Sequence, residues 1–129
     1  MNIVAVVPIA KGQWENTDSQ EWVGMYFFEV VLDWRLFEGC RGKLYVETIH
    51  NKEHGGELRL AYQQKPAEFV VVEGSEVVSE NTSGVRWQLL ESDWFDLPKD
   101  EGVSCVWVQG KADEGKTCSL ALATLVIAK

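Results

Sequence analysis

The chain has 129 residues, of which 46% are hydrophobic, and a formal net charge of −8 at pH 7. A chain of this length forms one domain, residues 1–129, that can bury a sizeable core, and its apolar content excludes intrinsic disorder. The acidic balance repels phosphate backbones, so we expect no nucleic-acid partner.

The apolar start of the chain does not fit a signal peptide. No basic residue precedes the apolar run, and Pro8 breaks it. No stretch reaches the roughly 20 apolar residues that a membrane span requires. Three cysteines without a CxxC spacing indicate a reduced compartment and free thiols, although Cys105 and Cys118 lie on two strands that could face each other. We therefore expect no secretion through a signal peptide and no membrane partner.

The first third of the chain predicts two strands separated by a loop. Residues 3–9 are apolar on both faces, with Pro8 marking the end of a strand or an edge position. Residues 11–21 are polar without periodicity and predict the loop. Residues 22–32 are dense in aromatic and β-branched side chains, which favours a long strand over a helix.

A short helical turn is predicted next. Residues 32–40 fit one turn that Asp33 can cap and Gly39 can end, and that carries the chain from one sheet to the other. Residues 43–49 and 57–63 then predict a hairpin around a glycine-rich turn.

The following segment predicts only short strands, at residues 69–72 and 77–78. Apolar Val85, Trp87 and Leu89 then alternate with Arg86 and Gln88, and residues 94–98 predict an edge or corner.

Two long strands end the chain. Residues 103–109 alternate, with Val103, Cys105, Trp107 and Gln109 on one side. A turn at 112–116 leads to residues 117–128, an unbroken apolar run that predicts a strand buried on both faces in the middle of a sheet. The whole pattern predicts an all-β sandwich of about eight antiparallel strands.

Six tryptophans are the one compositional excess. Three lie within alternating strands, where we expect core positions: Trp22, Trp87 and Trp107. The other three lie in predicted loops or corners, where an exposed ring can stack on a sugar or anchor a partner chain: Trp14, Trp34 and Trp94. Trp94 beside Phe95 would form a contiguous apolar patch and is the first choice for a contact site.

No residue set predicts a metal site or catalysis. His50 and His54 flank Glu53 in a predicted turn, but zinc needs at least three protein ligands and no third is near. Four acidic turn residues lack the spacing of a calcium loop: Glu73, Glu76, Asp113 and Glu114. There is no GxSxG and no phosphate-binding GxxxxGK[ST] motif. We predict no cofactor, no metal and no enzymatic activity.

Six short sequence segments have an order along the chain that matches a known pattern of strands and corners: residues 60–62, 72–77, 84–88, 97–98, 103–108 and 121–127. This order resembles the galactose-binding-like jelly-roll sandwiches of phage structural proteins and bacterial surface proteins, over roughly residues 32–127. The resemblance implies a single-domain antiparallel jelly roll. Members of that family serve as carbohydrate-binding modules, trimerising tail-fibre pieces and capsid decoration proteins.

These observations lead to two functional hypotheses. The first is a non-enzymatic structural or assembly protein, a virion decoration or fibre component that self-associates as a homo-oligomer. For this hypothesis we favour a trimer as the oligomer and expect a capsid or tail protein as a further partner. The expected location is the virion or the cytoplasm. The alternative is a carbohydrate-binding module that uses exposed Trp34 or Trp94.

Overall fold

The computed structural model describes residues 1–63, 68–80, 87–99 and 101–129, apart from the side chains at 12, 13 and 27–29. These residues contain one 3₁₀ helix, Trp34–Phe37, and ten strands: β1 Ile3–Thr17, β2 Val23–Asp33, β3 Arg41–Thr48, β4 Gly56–Gln63, β5 Val70–Val71, β6 Val77–Val78, β7 Gln88–Glu91, β8 Phe95–Asp96, β9 Val103–Ala112 and β10 Cys118–Ala128. The all-β prediction is confirmed. The described residues form ten strands where about eight were expected, and among them β5 and β6 both pair with β4, and β7 and β8 both pair with β3.

The strands form two antiparallel five-stranded sheets that pack face to face. Sheet A has the order β1-β10-β3-β7, with β8 also on β3, and sheet B has the order β2-β9-β4-β5, with β6 also on β4. The core between them contains fully buried aliphatic side chains from the central strands: Leu44, Val46, Leu58, Leu60, Val106, Val108, Leu120, Leu125 and Ile127. The β-sandwich prediction is therefore confirmed.

The predicted helical turn is present and crosses between the sheets. The Asp33 carboxylate accepts a hydrogen bond from the Arg35 backbone N–H at 3.1 Å and caps the 3₁₀ helix. Gly39, at φ +76°, follows the helix in a conformation that favours glycine. The turn joins β2 in sheet B to β3 in sheet A.

The predicted hairpin between β3 and β4 is wrong, because these strands belong to different sheets. Each strand buries alternate residues and finds a long partner inside its own sheet: β3 pairs with β10 and β4 with β9. The glycine-rich segment between them is thus a crossing from sheet to sheet.

The loop predicted at residues 11–21 is also wrong for most of its length, because β1 continues to Thr17. Three register shifts in its pairing with β10 absorb extra residues, so the strand extends without an alternating pattern. Pro8 lies within β1, which is an edge strand, and this position agrees with the sequence.

The last strand, β10, lies between β1 and β3 in the middle of sheet A, as predicted. Only its inner face is fully buried. Leu122, Thr124 and Val126 on the other face are half-buried, so the prediction of burial on both faces is wrong. The three cysteines are free, and Cys118 is buried in the core whereas Cys105 is half-exposed.

Candidate interaction surface

The outer face of sheet A is built by side chains that the strand register aligns in rows. Strand β10 lies between β1 and β3, so its outward residues have a neighbour on each side. Across β1, β10 and β3 they form four rows: Ile3–Ala128–Arg41, Val6–Val126–Lys43, Pro8–Thr124–Tyr45 and Lys11–Leu122–Glu47. Glu91 and Leu89 of β7 extend the last two rows, and Asp96 of β8 extends the first. Paired residues point to the same side of a sheet, and the alternate residues lie in the core, so we call this set the outer A face.

One half of the outer A face is apolar and exposed. Val6 has 59% of its surface exposed, and Ile3 on the same strand is exposed to a similar degree. Val126 and Leu122, beside them on β10, are half-buried. Single exposed aliphatic side chains are ordinary on a protein surface, but a contiguous group marks an interaction site.

Two tryptophan rings stand on the same face at one end of β1. Trp14 is 58% exposed, and its ring meets the ring of Trp87 edge to face, with centroids 5.9 Å apart. The adjacent Glu15 points the other way, because its carboxylate accepts a hydrogen bond from the Tyr26 backbone N–H in sheet B. The ring of Trp14 therefore adds to the outer A face, and its exposure agrees with the sequence prediction. Trp87, predicted as a core residue, is instead half-buried beside it.

The other half of the outer A face is aromatic and charged. The Nζ of Lys43 lies 3.1 Å from the Glu91 carboxylate, 5.4 Å from the Trp94 ring centroid and 5.9 Å from that of Tyr45. Such cation–π contacts contribute up to about 1 kcal/mol when exposed. Trp94 is half-buried here, so the structure brings two of the predicted contact residues, Trp14 and Trp94, to a single face.

The exposure expected for Trp34 and Phe95 is wrong, because both are buried. Trp34 is 2% exposed and packs its ring edge to face on Tyr62, with centroids 5.7 Å apart. Phe95 is 4% exposed and pairs with Gly42, and a Cβ on this glycine would lie only 2.7 Å from the Phe95 ring. The glycine thus makes room for the ring, and a glycine at the start of an alternating strand was the signal that could have revealed it.

Part of the outer face of sheet B is occupied by contacts within the chain, while Val31, Val78 and Val103 on its strands are exposed. The Arg59 guanidinium lies 3.8 Å from the Trp22 ring centroid and donates a 2.9 Å hydrogen bond to Gln109. Lys111 pairs with Glu57 at 3.0 Å. Trp22, predicted as a core residue, is therefore half-buried under an arginine. Trp107 is fully buried as predicted, and the ring of Phe69 packs on it.

A cavity of about 530 Å³ lies at the end of the sandwich beside the 3₁₀ helix. It is lined by both acidic and basic side chains, among them Arg35, Arg41, Lys99, Glu38, Asp96 and Glu101. Arg35 already pairs with Asp33, and its guanidinium lowers the pKa of that carboxyl. Burial, and then Glu101, raise the pKa of the Tyr62 phenol close by. Among the described lining residues, acidic and basic side chains are equal in number.

The two histidines form hydrogen-bond contacts in the segment that connects β3 to β4. His50 Nδ1 lies 2.9 Å from the Ser79 hydroxyl, and His54 Nδ1 lies 2.9 Å from the Asn51 side-chain oxygen. Within the described ranges, no three side chains of the histidine, cysteine, aspartate or glutamate type converge to hold a metal ion. The 3₁₀ helix has neither the length nor the apolar surface to cross a bilayer, and no other helix is found in the described part of the chain.

Comparison with models of known protein families gives no match to the chain, and comparison with curated proteins gives none either.

Proposed function

We propose that this chain is a non-enzymatic assembly protein that self-associates through the outer A face. The observation that carries the proposal is the apolar group of Ile3, Val6, Val126 and Leu122 on the outer A face, together with the exposed ring of Trp14 further along β1. Burial of apolar surface is the main favourable term in association, at roughly 25 cal/mol per Å² before the costs of binding.

The composition of the face favours a protein partner over a sugar. Aliphatic side chains are its main apolar content, and Trp14 and Trp87 meet at 79° instead of lying flat side by side. A sugar ring stacks on a flat aromatic surface flanked by polar groups, whereas an aliphatic face with aromatic anchors and a charged margin is typical of protein interfaces.

We also infer that the sandwich is a jelly roll. This inference is supported by the strand order, in which β1, β3 and β10 lie in sheet A while β2, β4 and β9 lie in sheet B. If the divided pairs β5/β6 and β7/β8 each count as one position, the eight positions have the order 1-8-3-6 in sheet A and 2-7-4-5 in sheet B, which is the order expected of two nested Greek keys. The resemblance to phage structural jelly rolls extends the proposal to a virion decoration or fibre component.

The test compares two valines on opposite sheets. Val6 on β1 is 59% exposed, and Val31 on β2 is 60% exposed, and both strands are sheet edges. We expect Val6→Lys to lower the self-association constant at least tenfold, because it places a charge in an apolar contact, while Val31→Lys leaves the constant unchanged. Sedimentation equilibrium measures both.

A monomeric wild-type chain, or equal effects of the two lysine substitutions, would contradict the proposal. Far-ultraviolet circular dichroism of both variants serves as the control for folding, because neither valine contributes to the core.

A further inference from the structure

We infer that the partner on the outer A face is a second copy of this chain, related to the first by a two-fold axis that crosses the strands at the row of Pro8, Thr124 and Tyr45. This inference rests on the proposed function and specifies its geometry. A two-fold interface uses the same surface on both copies, so the surface must be complementary to itself.

The charges along β3 have this self-complementary order. Lys43 lies one side-chain row before Tyr45, and Glu47 lies one row after it. An axis through Tyr45 therefore sets Lys43 of each copy opposite Glu47 of the other. Glu47 has no ion pair within the part of the chain that the structure describes, so it is available for one.

The apolar side chains match under the same axis. On β10, Leu122 and Val126 lie one row on either side of Thr124. Leu122 of one copy therefore faces Val126 of the other. On β1, exposed Ile3 lies at one end and the ring of Trp14 at the other, and the axis brings the two ends together. On β1 the same axis sets Val6 opposite Lys11, and on β7 it sets Glu91 opposite its own copy, with Lys43 3.1 Å from each Glu91 carboxylate. No row of β1, β10 or β3 sets like charges against each other.

Pairing of two β1 edges is the competing arrangement, and the sequence opposes it. Pro8 lacks a backbone N–H, and three register shifts disturb the line of the strand. Proline and bulges are devices by which proteins protect an edge strand from pairing, so the contact is made by the face of sheet A and not by its edge.

The experiment uses Lys43→Glu and Glu47→Lys, separately and mixed. Each variant alone sets two pairs of like charges across the axis, and we expect its dimer dissociation constant to rise at least about tenfold. In an equimolar mixture every pair is again of opposite charge, so the dimer mass returns. The controls are Lys111→Glu and Glu57→Lys on sheet B, which should leave the mass unchanged.

The outcomes separate the geometry from the proposed function. Loss of the dimer in both variants without recovery in the mixture overturns the two-fold arrangement, and so does an effect of Glu47→Lys without one of Lys43→Glu. A three-chain mass that still depends on Val6 supports the outer A face but overturns the two-fold axis. A wild-type chain that remains monomeric overturns both.

Discussion

At the residue scale, the thiol of Cys118 shows how strongly the core excludes water. Burial, together with the nearby carboxylates of Asp113 and Glu57, raises the pKa of this thiol from 9.0 to about 12. Because the thiolate is the reactive form, we expect iodoacetamide at pH 8 to alkylate Cys40 and Cys105 but not Cys118. Peptide mass spectrometry reads the three sites separately. Equal labelling of Cys118 in the folded protein would contradict its placement in the core.

The same shift defines a pH window for stability. The pKa of the folded-state thiol lies above that of the unfolded state, so its stabilising effect is complete below about pH 9 and is lost as the pH rises toward 12. The slope reaches at most about 1.4 kcal/mol per pH unit. In Cys118→Ala this part of the alkaline loss should be absent, which urea titrations at pH 8 and pH 11 would measure.

At the element scale, β7 inverts the pattern that its sequence indicates. Leu89 was expected on the buried side, but Gln88 is buried and Leu89 is exposed. The Gln88 amide oxygen accepts a 2.7 Å hydrogen bond from the Glu80 N–H, and its nitrogen donates a 2.8 Å bond to the Glu80 carbonyl. Register with Thr48 sets this orientation, because Thr48 points into the core. Val85 and Arg86, predicted to alternate with these residues, lie outside the described ranges.

We therefore expect Gln88→Leu to destabilise the fold by about 1–2 kcal/mol, since two hydrogen bonds of about 1 kcal/mol each are lost. Leu89→Gln, one residue along, should change the free energy of unfolding by less than about 0.5 kcal/mol. Urea unfolding at a concentration below that of self-association compares the two. A larger effect at Leu89 would show that the register of β7 is wrong.

Local signals predicted some elements well and missed the partners of others. The turn capped by Asp33 and ended by Gly39 depends on neighbouring residues, and it was predicted correctly. The extension of β1 to Thr17 and the separation of β3 from β4 depend on strands about a hundred and about fifty residues away. No local pattern contains that information. The contact site shows the same division: Trp14 was one of three tryptophans predicted to offer an exposed ring, but its place on the same sheet face as Val6 and Val126 follows from the strand pairing.

At the scale of the whole molecule, the two outer faces of the sandwich differ in what they offer a partner. On sheet B, Arg59 covers Trp22, and Lys111 pairs with Glu57, so the polar groups are already engaged. On sheet A, Ile3 and Val6 of β1 are exposed beside half-buried residues of β10, and β1 also carries the exposed ring of Trp14. This difference between the sheets is the basis for assigning assembly to one face.

The most direct measurement is the mass of the unmodified chain over a dilution series. Sedimentation velocity from about 0.1 to about 100 µM, a range that spans typical transient and stable dimers, should show a mass that rises from 14.6 kDa to twice that value. The tryptophan emission should shift to shorter wavelength over the same range, as Trp14 becomes covered. A constant 14.6 kDa at the highest concentration would contradict self-association through the outer A face.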